Sequence, residues 1–130
     1  MTGWDPAALD LLGLLQDTVR GPRREGVYAL WLTLRVTQDL MLEPPLTERA
    51  VRRRLAALES RLSSLTMPAS LRRALATALL QLRDATRESV PIILNNLVAP
   101  AKDAAGSEAA EAFRKAERAA RQALLAGSRT

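Results

Sequence analysis

Histidine and cysteine are both absent from this chain of 130 residues. Histidine is the usual general base near neutral pH, and cysteine is a common nucleophile and, together with histidine, the usual ligand of zinc. Their joint absence excludes disulfides and every catalytic or metal site that depends on either side chain. We therefore predict no catalytic residue, no cofactor and no metal site, and we expect a non-enzymatic protein.

Aromatic residues are also scarce, at 3% of the chain, whereas hydrophobic residues together reach 48%. A core that is apolar but poor in aromatic rings must be aliphatic, and leucine and alanine favour helix packing over a β-sandwich. The six glycines are scattered and form no loop that could cradle a phosphate. We therefore expect neither a nucleotide site nor a small-molecule substrate.

Long hydrophobic runs are missing as well. The most apolar stretch, residues 27–36, is interrupted by Thr33 and Arg35. It is about half as long as the roughly 20 residues that a membrane span needs. The sequence has no basic start followed by an apolar run, which is the pattern that would indicate a signal peptide. We expect a cytoplasmic protein without membrane association.

Leucine and alanine recur at helical spacing along nearly the whole chain. Val51, Leu55, Leu58, Leu62 and Leu65 step alternately by four and three residues, and the same step repeats from Leu71 to Ala85. These seams are too short for an independent coiled coil and are typical of core stripes in a bundle. The sequence therefore predicts an all-α, single-domain bundle of about five helices, with antiparallel neighbours and an aliphatic Leu/Ala core. We expect the core in residues 1–100, a linker at 101–106, and a C-terminal helix over 107–127 that packs on the bundle or on a partner.

Three segments carry mixed signals. Residues 27–36 alternate as a strand would, but no partner strand is evident, and an unpaired strand leaves its backbone unsatisfied. We predict a helix there. Pro91 either kinks or restarts the fourth predicted helix, which begins at Met67-Pro68 and carries the seam from Leu71 to Ala85. Asn95 and Asn96 form either a loop or helix end or a buried polar pair, and the nearby Pro100 favours the former.

The last predicted helix begins at Ser107 and carries an inner face made mostly of alanine. Glu111 with Lys115 and Glu117 with Arg121 are spaced as favourable ion pairs. Because alanine buries little area per turn, this helix is either a closely packed lid or a loosely attached arm.

The first predicted helix begins at Asp5-Pro6 and ends at Gly21-Pro22. It is apolar around more than half of its circumference, which is more than a small monomeric bundle covers easily. Such a surface is most often completed by a symmetric second copy. We therefore predict an assembly or adaptor module that forms a homodimer and binds an unidentified protein partner. The residues expected at the core or interface are Leu9, Leu12, Leu15 and Trp31.

The net charge of +5 rests almost wholly on arginine. Arginine-rich, Ala/Leu-rich composition is what a GC-rich bacterial genome produces, but arginine also binds phosphate. The alternative function is thus a sequence-independent nucleic-acid binder, such as a small basic subunit of a nucleoprotein complex. Its candidate phosphate-binding residues are Arg49, Arg52, Arg53, Arg54, Arg72 and Arg73. On a helical wheel they spread around a polar face and form no single stripe, which counts against this alternative.

Two pairs of acids complete the candidates. Glu108 and Glu111 share a helix face, and Asp10 and Asp17 lie two turns apart. Carboxylates can hold a hard cation, but dimetal sites in helical bundles also use histidine. We interpret these acids as surface residues that interact with nearby arginines and with helix N-termini.

Overall fold

A computed structural model describes residues 4–17, 22–41 and 45–128 of the chain. Within these ranges all regular structure is helical, which confirms the predicted all-α class. Six helices are present where about five were expected, and a 3-10 turn at Arg87–Ser89 precedes the fifth. Their bounds are α1 Trp4–Asp17, α2 Pro22–Asp39, α3 Glu48–Ser63, α4 Ala69–Arg83, α5 Val90–Ala105 and α6 Ser107–Ser128.

The six helices share one apolar core built mainly from leucine and alanine. α6 packs most extensively against α5 and α1, α4 packs against α5, and α3 packs against α2 and α4. Both predicted seams face this core, since Leu55, Leu58 and Leu62 of α3 and Leu71 and Leu75 of α4 are buried. Among the described helices, none combines the length and the apolar character needed to cross a bilayer.

The alternating segment at 27–36 lies within α2, so the helix prediction is confirmed. Two buried threonines on this helix satisfy their hydroxyl groups locally. Thr33 donates a hydrogen bond to the carbonyl of Ala29 at 2.8 Å, and Thr37 donates to that of Thr33 at 2.7 Å. Because each hydroxyl uses the carbonyl four residues back, threonine enters the core without an unpaired polar group.

The linker expected at 101–106 is wrong, because residues 101–105 are the last residues of α5. Pro100 lies inside this helix, and the helix continues beyond it because Ala101 and Ala105 are buried against neighbouring helices. The break comes at Gly106, whose φ of 96° is in the left-handed region that glycine favours. One residue therefore joins α5 to α6, and the two helices are in close contact.

Pro91 restarts the helix instead of kinking it. The 3-10 turn ends at Ser89, where Thr86 and Ser89 form a reciprocal capping box, and α5 begins at Val90. Proline is tolerated in this first turn because its missing N–H has no partner within the helix there. Asn95 and Asn96 are exposed in the middle of α5, so the expectation of a loop or helix end is wrong.

α6 is closely packed on its own chain. Its buried face consists of Phe113, which is fully buried, and of six alanines: Ala109, Ala110, Ala112, Ala116, Ala119 and Ala120. Small side chains let helix axes approach closely, so this face makes extensive contact despite the small area of each residue. Lys115 does not pair with Glu111 but reaches Asp10 of α1, at 2.6 Å.

Candidate interaction surfaces

The outer side of α1 presents two leucines to solvent. Leu9 is 60% exposed and Leu12 is 36% exposed, one helical turn apart. Gly13 lies beside them, and a side chain added there would meet nothing within 4 Å. We call Leu9, Leu12 and Gly13 the α1 face. Leu15, predicted with them, is instead buried in the chain's own core.

Trp31, the fourth residue of the predicted interface, is half-buried on α2. Its ring stacks on Tyr28, with the centroids 6.2 Å apart. The Tyr28 hydroxyl accepts a hydrogen bond from Arg61 of α3 at 3.1 Å. The indole N–H of Trp31 is buried and finds no acceptor in the described part of the chain. Trp31 thus packs against the core of its own chain.

Three of the six candidate phosphate-binding arginines make contacts within the chain. Arg52 pairs with Glu48 at 2.6 Å, and Arg54 pairs with Asp39 of α2. Arg72 donates to the carbonyls of Leu62 and Leu65 at the end of α3. The Leu62 carbonyl also accepts the backbone N–H of Leu65 at 3.2 Å, and Leu65 lies just beyond the end of α3. Arg72 therefore adds a side-chain cap to the C-terminal end of α3 from the neighbouring helix.

The other three arginines, Arg49, Arg53 and Arg73, are exposed and form no hydrogen bond or ion pair with any residue the structure describes. Arg49 and Arg53 lie one turn apart on the outer side of α3, where residues four apart are neighbours. Arg73 lies on α4. Within the predicted set, these are the three guanidinium groups whose donors have no partner among the described residues.

An apolar groove with a volume of about 360 Å³ lies between α3 and α4 and was not predicted from the sequence. Its floor is made by Leu62, Met67, Leu75 and Leu79, and its open side carries Ala76 and Leu80. Leu80 is 61% exposed. Arg83 spans the groove to Glu59 at 3.0 Å, and Arg72 lies at one end. We call these residues the α3–α4 groove.

The groove had a sequence signal that the seam obscured. Leu79 and Leu80 are adjacent, and their side chains point about 100° apart around the helix, so the two do not cover the same surface. The heptad step assigns the core positions to Leu75, Ala78 and Leu82, so Leu80 lies off the stripe. An exposed leucine at that position marks the rim of the groove.

One member of each acidic pair, Glu111 and Asp10, is the partner of basic side chains. Glu111 accepts hydrogen bonds from Arg114 at 3.5 Å and Arg118 at 3.1 Å. The hydrogen bond from Arg118 holds the pKa of the Glu111 carboxyl below its usual range, and Arg114 adds to this. Asp10 pairs with Lys115, and the side chain of Asp17 lies outside the described residues. No group of three metal-ligating side chains occurs in the ranges that the structure describes.

A shallow groove beside the α1 face runs between α1 and α6. It is lined by Leu9, Leu14 and Gly13 together with Asp10, Glu108, Glu111 and Lys115. Asp5 and Glu108 form no ion pair with another described residue. The surroundings of Leu9 are therefore rich in carboxylates, whereas those of Leu80 are rich in arginine.

Comparisons of the chain with models of known protein families, with curated proteins and with solved structures give no match.

Proposed function

We propose that this chain is a non-enzymatic, cytoplasmic helical-bundle protein that acts as an assembly or adaptor module and associates with itself. The observation that carries the proposal is the α1 face, where Leu9 and Leu12 are exposed as neighbours on one helix. Adjacent exposed leucines on a helix are typical anchors for a partner helix or groove. Gly13 beside them lets another backbone approach closely.

Composition supports the same proposal. With neither histidine nor cysteine, the chain lacks the side chains on which most acid–base and covalent mechanisms depend. Asp10 and Glu111 are held by lysine and arginine at distances typical of surface ion pairs. An interaction surface uses what the chain has in quantity, namely leucine, alanine and arginine.

Leu9→Arg should convert the self-associating protein to a monomer. An interface anchor contributes about 2 kcal/mol or more, so the dissociation constant should rise roughly 30-fold or further. Because Leu9 is 60% exposed, the change should leave thermal stability nearly unaltered. The measurement is light scattering coupled to size exclusion over a dilution series.

Ile92→Arg is the matched control, since Ile92 of α5 is 59% exposed and lies outside the α1 face. It should assemble like the wild type. A wild-type chain that keeps the monomer mass of 14.2 kDa at every concentration would contradict self-association.

A second candidate function, sequence-independent binding of a nucleic-acid backbone, is supported by Arg49, Arg53 and Arg73, which are exposed and pair with no residue that the structure describes. Changing all three to glutamine should weaken binding to a generic duplex. It should also lower the slope of log affinity against log salt by up to roughly 3, about one unit for each phosphate that is no longer neutralised. Fluorescence anisotropy at several salt concentrations measures both quantities.

The matched control removes the same charge from α6 by changing Arg114, Arg118 and Arg121 to glutamine. If both triple variants show the same decrease in affinity and slope, binding follows net charge and the candidate site is wrong. If neither variant differs from the wild type, the arginines have no part in binding.

A further inference from the structure

The α3–α4 groove has the shape and chemistry that a helix with an apolar ridge requires. Its floor of leucine and methionine runs along the junction of two helices, and Ala76 leaves its open side unobstructed. A helix docks on such a junction by laying a row of side chains between the two rows beneath it. Leu80, 61% exposed at the rim, would be covered by that docking.

Charge identifies which helix of this chain fits the groove. α3 and α4 together carry eight arginines and two glutamates. α1 carries three aspartates and is the only one of the six described helices without a basic residue. Opposite potentials on two surfaces favour their encounter and fix their orientation. The exposed leucines of α1 thus stand on the helix whose charge complements the groove.

The spacing of the side chains also matches. Asp5 precedes Leu12 by seven residues, and Arg73 precedes Leu80 by seven residues. Seven residues of α-helix extend about 10.5 Å, nearly two turns. When α1 lies parallel to α4, Asp5 meets Arg73 and Leu12 meets Leu80. Leu9 then lies level with Thr77, next to Ala76, whose small side chain leaves room in the groove.

The occupant must come from a second molecule. Within one chain, α1 packs against α2 and α6, whereas the groove is formed by α3 and α4. Resting on the self-association proposed above, we propose that the α1 face of one copy occupies the α3–α4 groove of another copy. Because the contact joins two different surfaces, it closes a dimer around a twofold axis when both copies make it reciprocally, and this reciprocal arrangement is part of the proposal.

Complementation between two variants tests this contact. Leu9→Arg disables the α1 face but leaves the groove intact, and Leu80→Glu disables the groove but leaves the α1 face intact. Each variant alone should be monomeric, with a dissociation constant at least 30-fold above that of the wild type. An equimolar mixture retains one working contact and should form a one-to-one complex, measured by light scattering with size exclusion.

Both substituted leucines are about 60% exposed, so both variants should fold, and circular dichroism with thermal melting checks this. Ile92→Arg should assemble alone, as the wild type does. If the wild type is monomeric, the proposed self-association itself fails. If the wild type assembles and Leu80→Glu assembles equally well, self-association stands and the groove contact is overturned.

A cross-link provides an independent test, because the chain has no cysteine of its own. Leu12→Cys mixed with Leu80→Cys should form a covalent dimer under mild oxidation by oxidised glutathione. Either variant alone should do so at least 10-fold more slowly. Rapid dimerisation of Leu12→Cys alone would place two α1 faces against each other and overturn the proposal.

Discussion

Phe113→Ala should lower the free energy of unfolding by about 3–5 kcal/mol, the largest effect that we expect from a single substitution in this chain. Phe113 is fully buried, and it is the largest of the wholly buried side chains. The other buried residues of α6, among those that the structure describes, are all alanines, whose side chains are too short to fill the space left by the ring. The cavity therefore remains, and its cost adds to the lost transfer free energy of the ring.

Urea unfolding followed by far-UV circular dichroism measures this loss, and the m-value shows whether unfolding stays cooperative. Leu125→Ala, at a residue of the same helix that is 60% exposed, should change stability by less than about 0.5 kcal/mol. A loss below about 1 kcal/mol for Phe113→Ala would mean that α6 is not anchored by this ring.

Ala116→Leu should have the second largest effect, a loss of about 1–3 kcal/mol. Ala116 is fully buried on the alanine face by which α6 packs on its own chain. Leucine and alanine have similar helix propensities, so a loss reports the packing of α6 and not the stability of the isolated helix. Differential scanning calorimetry should show a lower melting temperature.

Ala57→Leu makes the same change at an exposed position of α3 and is expected to be nearly neutral. If Ala116→Leu and Ala57→Leu gave equal stabilities, the alanine face would not be closely packed. A loss confined to Ala116→Leu would instead show that alanine is required there by the short distance between helices.

The sequence predicted best those features that follow from periodicity or from the need to pair the backbone. The seam through Leu55, Leu58 and Leu62 repeats over several turns, and the structure places its residues in the core. Predicting the seam needs only the local spacing of side chains. The helix across 27–36 was predicted against a strand-like local spacing, because no partner strand is evident elsewhere in the sequence and an isolated strand could not pair its backbone.

Features that depend on neighbouring helices were predicted less well. Pro100 and Gly106 suggested a linker, but buried alanines on either side of Lys102 and Asp103 extend α5 as far as Ala105. Lys115 is spaced to pair with Glu111, yet α1 brings Asp10 within 2.6 Å of it. In both cases tertiary packing overrides a correct local signal, and no local pattern reports where a distant helix will lie.

The candidate sites show the same division. The composition showed that arginine was abundant, and this suggested phosphate binding. Only the fold determines that Arg54 pairs with Asp39 and that Arg72 caps α3. Leu9 and Leu12 were predicted as interface residues from the apolar circumference of α1, and the structure exposes both. Their role in self-association stays a prediction that the Leu9→Arg experiment tests.

The position of α3 at the margin of the core has a consequence for motion. α3 buries three residues, fewer than any of the other five helices, and it packs chiefly against α2 and α4. Local opening requires least free energy where the least apolar surface must be exposed, so α3 should separate from the rest before the core as a whole unfolds. Because α3 forms one wall of the α3–α4 groove, separation of α3 from the core would also change the width of the groove. A bound helix that holds this wall in place would slow amide hydrogen exchange along α3 at residues that it never touches.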